Sequence, residues 1–104
     1  MIRHHVFVRF PSDLAADAID ELLDQLHGVC APLDGVLDVR IGPNVSPEDP
    51  VVHGFRHGFV IDFATEADRD AYLVDEQHQA FGGRLVAAAE GGIDGILVFD
   101  LVVA

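Results

Sequence analysis

The hydrophobic period of this chain switches between two residues and 3.6 along its length, and the order of those switches leaves few folds open. Residues Ile2 to Phe10 alternate, with Ile2, His4, Val6, Val8 and Phe10 on one side and Arg3, His5, Phe7 and Arg9 on the other, which predicts a strand. Pro11-Ser12-Asp13 supplies a break and an N-cap. Ile19, Leu22, Leu23, Leu26, Val29 and Cys30 then recur at helical spacing against a face of Asp17, Asp20, Glu21 and Asp24, and the helix has to stop before Pro32. Leu37, Val39 and Ile41 alternate with Asp38 and Arg40 in a second strand that ends at Gly42-Pro43. After a turn-rich loop from Pro43 to Pro50, Phe55, His57, Phe59, Ile61 and Phe63 line one face of a third strand. Thr65 with Asp68 marks a capped start to a helical region that runs to about Ala89, where Gly91-Gly92 closes it. Ile93 to Val103 is a nearly continuous apolar run, read as a last strand.

Strand, helix, strand, strand, helix, strand is the order of the α+β ferredoxin-like β-α-β-β-α-β fold, a four-stranded antiparallel sheet with its helices on one face. The other sheet face should be polar if it meets water, yet Phe7, Val60, Ile96 and Val98 fall there in this reading. A second copy packed sheet to sheet resolves that conflict. A chain of 104 residues buries only roughly 60 to 70% of its unfolded surface, which makes oligomerisation a natural way to cover a second apolar face.

The length and the absence of a long apolar run predict one soluble, cytoplasmic domain over residues 1–104. Eighteen acidic residues against six basic ones give a net charge of -12, which repels phosphate backbones and anionic headgroups, so neither nucleic acid nor membrane is an expected partner. The single Cys30 sits on the apolar stripe of the first helix and reads as a small buried hydrophobe. No glycine-rich phosphate loop, nucleophile elbow or short metal-ligand spacing is present, so no cofactor and no metal are expected.

Ionisable rings on apolar faces are what remains to be explained. His4 and His57 occupy inward positions of two strands, and His78 falls on the stripe Ala67, Ala71, Val74, His78, Phe81, Leu85, Ala88. On one unbroken helix Tyr72 and His78 would point roughly 120° apart. Asp75 is a good N-cap, and Glu76 suits the positive end of a helix dipole, so a second helix starting there would let Tyr72 swing toward His78.

Arg3-His4 before an apolar strand, Gly42-x-Asn44-x-Ser46, Gly54-Phe55-x-His57, the set Tyr72, His78 and Phe81, and Phe99-Asp100 together resemble the stress-responsive dimeric α/β-barrel (Dabb) family over nearly the whole chain. The resemblance implies a homodimer whose two sheets form a barrel, with a pocket in each subunit between sheet and helices. It also implies, from plant members that are cofactor-free polyketide cyclases, that Tyr72 and His78 carry chemistry while His4 and His57 line the pocket. Phe55, Phe59, Phe81 and Leu85 would supply apolar walls for a small carbonyl-bearing ligand. His78 would act as base and Tyr72 as hydrogen-bond donor in aldol-type or lactonising chemistry. Two alternatives stay open: a non-catalytic stress-responsive homodimer, and a cofactor-free monooxygenase by analogy of fold.

Overall fold

In the computed structural model, which describes residues 1–104, period-two alternation becomes strands β1 (Ile2–Val8), β2 (Val36–Pro43), β3 (His57–Phe63) and β4 (Ile96–Val102). The amphipathic stretches become helices α1 (Ala16–Cys30), α2 (Glu66–Val74) and α3 (Glu76–Ala88). The sheet is ordered β2-β3-β1-β4, with every neighbouring pair antiparallel. No helix is long and apolar enough to cross a membrane.

One side of β1 carries Ile2, His4, Val6 and Val8, all buried, opposite Phe63, Ile61, Phe59 and His57 of β3. This is the face the helices cover. Ile19, Leu23, Leu26 and Val29 of α1, Tyr72 of α2, and Phe81 and Leu85 of α3 join Ile2, Val6, Val8, Phe59, Ile61 and Phe63 in a single core cluster. The outward side carries Arg3, His5 and Phe7, which pair with Leu101, Phe99 and Leu97 of β4.

That register corrects the expected phase of the last strand. Ile96 and Val98 lie opposite Val8 and Val6, on the helix side, whereas Leu97, Phe99 and Leu101 join Phe7 and Val60 on the outward face. Other boundaries move: β1 ends at Val8 instead of Phe10, and residues Gly92–Gly95 form a 3-10 turn that delays β4 to Ile96. The first helix starts at Ala16, with Ala15 as an N-cap that has no side-chain bond, so Ser12 and Asp13 form a turn before it. The third strand begins at His57, because His53 (φ 53°) and Gly54 (φ 76°) both adopt left-handed backbone and turn the chain just upstream.

The helical region breaks at Asp75. Its backbone is extended (φ -66°, ψ 133°), and its carboxylate accepts a 3.0 Å hydrogen bond from the His78 amide, so it ends α2 and caps α3 in one residue. Thr65 caps α2 in the same way, accepting from the Asp68 amide at 3.2 Å. Asp75→Ala should cost about 1 kcal/mol, the usual worth of an N-cap. Urea denaturation checks this, and an unchanged midpoint would show that the cap contributes nothing.

Candidate active site

The break at Asp75 turns Tyr72 and His78 toward each other. Their ring centroids are 4.0 Å apart, at an interplanar angle of 40°. Tyr72 is 1% exposed, and its ring also meets Phe63 (5.2 Å) and His4 (5.7 Å), so three separate elements, β1, α2 and α3, place His4, Tyr72 and His78 in one cluster. No fully enclosed side-chain nitrogen or oxygen lacks a partner. The Tyr72 hydroxyl bonds to no protein group, so it reaches the solvent-touched margin of the buried zone.

Behind this cluster runs a polar chain. His4 Nδ1 lies 2.6 Å from Asp100 Oδ1, and Asp100 Oδ2 accepts from Arg69 Nη1 at 2.7 Å. Burial lowers the pKa of His4 and outweighs the opposing hydrogen bond to Asp100, so the contact is a neutral imidazole donating to a carboxylate. Burial alone would raise Asp100, but the hydrogen bonds from His4 and Arg69 prevail and hold it below the usual carboxylate range. Burial likewise lowers His78, against the bond to the Leu73 carbonyl, and raises Tyr72 well above an ordinary phenol. The Cys30 thiol is pushed up to about 11, first by burial and then by the Asp75 charge.

These shifts fix the protons. The Leu73 carbonyl can only accept, so at 3.3 Å His78 Nδ1 is the donor; the same holds for His4 Nδ1 on Asp100. Each ring therefore keeps a lone pair on Nε2. A neutral base thus stands beside a phenol that keeps its proton, the pairing needed to remove a proton from carbon and donate one to oxygen.

A pH dependence follows. Imidazoles near 6.5 in the unfolded chain bind protons that His4 and His78 resist binding when folded, so stability is full above that value and falls as pH drops below it. Asp100 has a lowered folded pKa, and its contribution is lost only at still lower pH, below the unfolded value of 3.8. Thermal melts at pH 7.5 and 5 should give the lower midpoint at 5, with the difference shrinking in His4→Gln; equal midpoints would contradict the neutral assignment.

Comparison with known proteins settles the family. The model of the stress-responsive A/B barrel domain (Dabb) matches residues 2–103. The chain belongs to the Dabb family. A dimeric ferredoxin-like protein of unknown function from Jannaschia sp. CCS1 is 38% identical, with a TM-score of 0.88 and 98% of each chain covered. A protein of Arabidopsis thaliana is 19% identical (TM-score 0.86, covering 100% of this chain and 96% of that one). The hydroxynitrile lyase of Passiflora edulis is 21% identical (TM-score 0.83, covering 99% and 93%). At those identities the two plant proteins share the fold. No curated protein matches the chain.

Within this Dabb fold the anticipated residues separate into three groups. His4, Tyr72 and His78 meet; Phe59, Phe81 and Leu85 lie in the same buried core, with Phe59 and Phe81 6.0 Å apart. His57 does not join them. It shares the helix-side face but pairs with Val8, four strand positions from the His4–Ile61 pair and so about 13 Å away, and its ring packs on Phe10 at 5.6 Å. Phe55 lies outside β3, beneath the Arg9 guanidinium at 4.6 Å, because the left-handed pair His53-Gly54 breaks the alternation that put it on the strand face. The expected single hollow shared by His4, His57 and His78 is therefore not formed. Asp100 and Arg69 are partners not expected in the site; the signals for Asp100 were its place in the family resemblance and an acid within an otherwise apolar last strand. No three His, Cys, Asp or Glu side chains come within reach of a common metal ion.

Proposed function

We propose that this Dabb protein is a homodimer that moves protons on an apolar, carbonyl-bearing small molecule, in aldol-type or cyclising chemistry that needs no cofactor. The observation that carries the reading is the 4.0 Å approach of a neutral imidazole to a protonated phenol. His78 Nε2 takes a proton from the carbon next to a carbonyl, and the Tyr72 hydroxyl donates to the enolate oxygen that forms. The enolate carbon then attacks a second carbonyl of the same molecule. The protonated His78 returns its proton to the new alkoxide, so no electrons enter or leave. His4, fixed by Asp100 and Arg69, positions the phenol ring. The outward apolar face of the sheet supports the homodimer, in line with relatives that are dimeric ferredoxin-like proteins.

A second reading has its own support. The five main recesses, about 300 to 540 Å³ each, include none of His4, Tyr72 and His78 in their walls, and Tyr72 is nearly sealed. A filled interior suits a stress-responsive homodimer without catalysis. Deuterium wash-in next to the carbonyl of a medium-chain methyl ketone, followed by NMR, separates the two. Acceleration by the wild type that His78→Ala abolishes supports the enzyme; a wild-type rate equal to buffer supports the non-catalytic dimer.

A further inference from the structure

Cations are scarce in this chain, and two of them are unspent at one place. Of the six arginines, Arg3, Arg40 and Arg69 each hold a carboxylate, and Arg84 donates to Gln25. Arg9 makes a single side-chain bond, to the His53 carbonyl at 3.0 Å, and Arg56 forms no side-chain bond or ion pair. Both line the same recess of about 540 Å³, where β1 and β3 meet the loops that follow and precede them, and whose one acidic side chain is Glu90. In a protein with three times as many acids as bases, that local balance is reversed.

Arg9 is held in place. The left-handed turn at His53 and Gly54 aims the His53 carbonyl at Arg9 Nε, and the absence of a side chain at Gly54 leaves room for it: a Cβ there would stand 3.1 Å from Nε. The Phe55 ring supports the guanidinium from the other side at 4.6 Å. Nε is thus satisfied, and the two terminal nitrogens stay free for an incoming group. Part of the remaining wall is apolar, with Phe10, Leu14 and Ile19 beside the arginines, while Ser12, His53, His57 and Glu90 line the rest, and the volume falls in the range of small-molecule sites.

We propose that this recess binds an amphiphilic carboxylate, with its head on Arg9 and Arg56 and its hydrocarbon tail against Phe10, Leu14 and Ile19. A planar carboxylate matches the guanidinium fork, and the charge of Glu90 disfavours a dianion. The site is separate from Tyr72 and His78, at the opposite end of the sheet, and does not depend on their chemistry. Octanoate titrated into the full chain by calorimetry is expected to bind saturably, with a millimolar or tighter Kd, while octanol, with the same tail and no charge, does not. Arg56→Gln, at an exposed side chain without protein partners, should weaken octanoate about tenfold without affecting folding. Glu90→Gln, which keeps the backbone bond from residue 90 to the Arg9 carbonyl, should tighten it several-fold. Equal binding of octanoate and octanol, an unchanged Kd in Arg56→Gln, or no saturable octanoate binding in the wild type would overturn the assignment.

Discussion

Replacing Phe99 and Leu101 with glutamate is expected to convert the proposed dimer of twice 11.2 kDa into a folded monomer. In the single chain, Leu97, Phe99 and Leu101 are 42%, 55% and 44% exposed, and they share the outward sheet face with Phe7 and Val60. Covering each such side chain is worth roughly 1.5 to 3 kcal/mol. A two-fold interface would use every one of them twice. It must also outweigh the mutual repulsion of two chains of charge -12, so the apolar term decides the outcome. Glutamate at these positions removes that term and would bury unpaired carboxylates, each costing several kcal/mol. Sedimentation equilibrium reads the mass directly, and a variant that stays dimeric would place the interface elsewhere.

Tyr72→Phe should separate catalysis from packing. The substitution keeps the ring against Phe63, His4 and His78 and removes only a hydroxyl that bonds to no protein group, so stability should change by no more than ~0.5 kcal/mol. Its deuterium wash-in rate should fall by ~10²- to 10³-fold, the usual loss for one oxyanion donor. His78→Gln should lose ~10²- to 10⁴-fold, as expected for a general base. If Tyr72→Phe instead loses several kcal/mol of stability and no rate, the tyrosine is a core residue and the filled-interior reading gains.

Much of this was legible in the sequence because it rests on local chemistry. The strand and helix order follows from period alone, but the apolar stripe keeps helical phase through residue 75, so the approach of Tyr72 to His78 was anticipated from the family resemblance, with Asp75 and Glu76 as residues suited to a new helix start. What was not legible depends on backbone turns or distant pairing. Phe55 continues the alternation of β3 on paper, but the left-handed His53-Gly54 pair carries it out of the strand. The last strand is apolar at nearly every position, so its phase is ambiguous until pairing with β1 places Leu97, Phe99 and Leu101 outward. Asp100 meets His4 only through that same register, between residues 96 apart in the chain.

The proposed chemistry requires a neutral His78, with a free Nε2, against a buried protonated phenol. Nitrogen-15 NMR of the imidazole rings through a pH titration tests it most directly. The expected result is a midpoint for His78 below the ordinary 6.5 and an Nδ1–H tautomer at neutral pH. A His78 that titrates at or above 6.5, or that carries its neutral-state proton on Nε2, would contradict it.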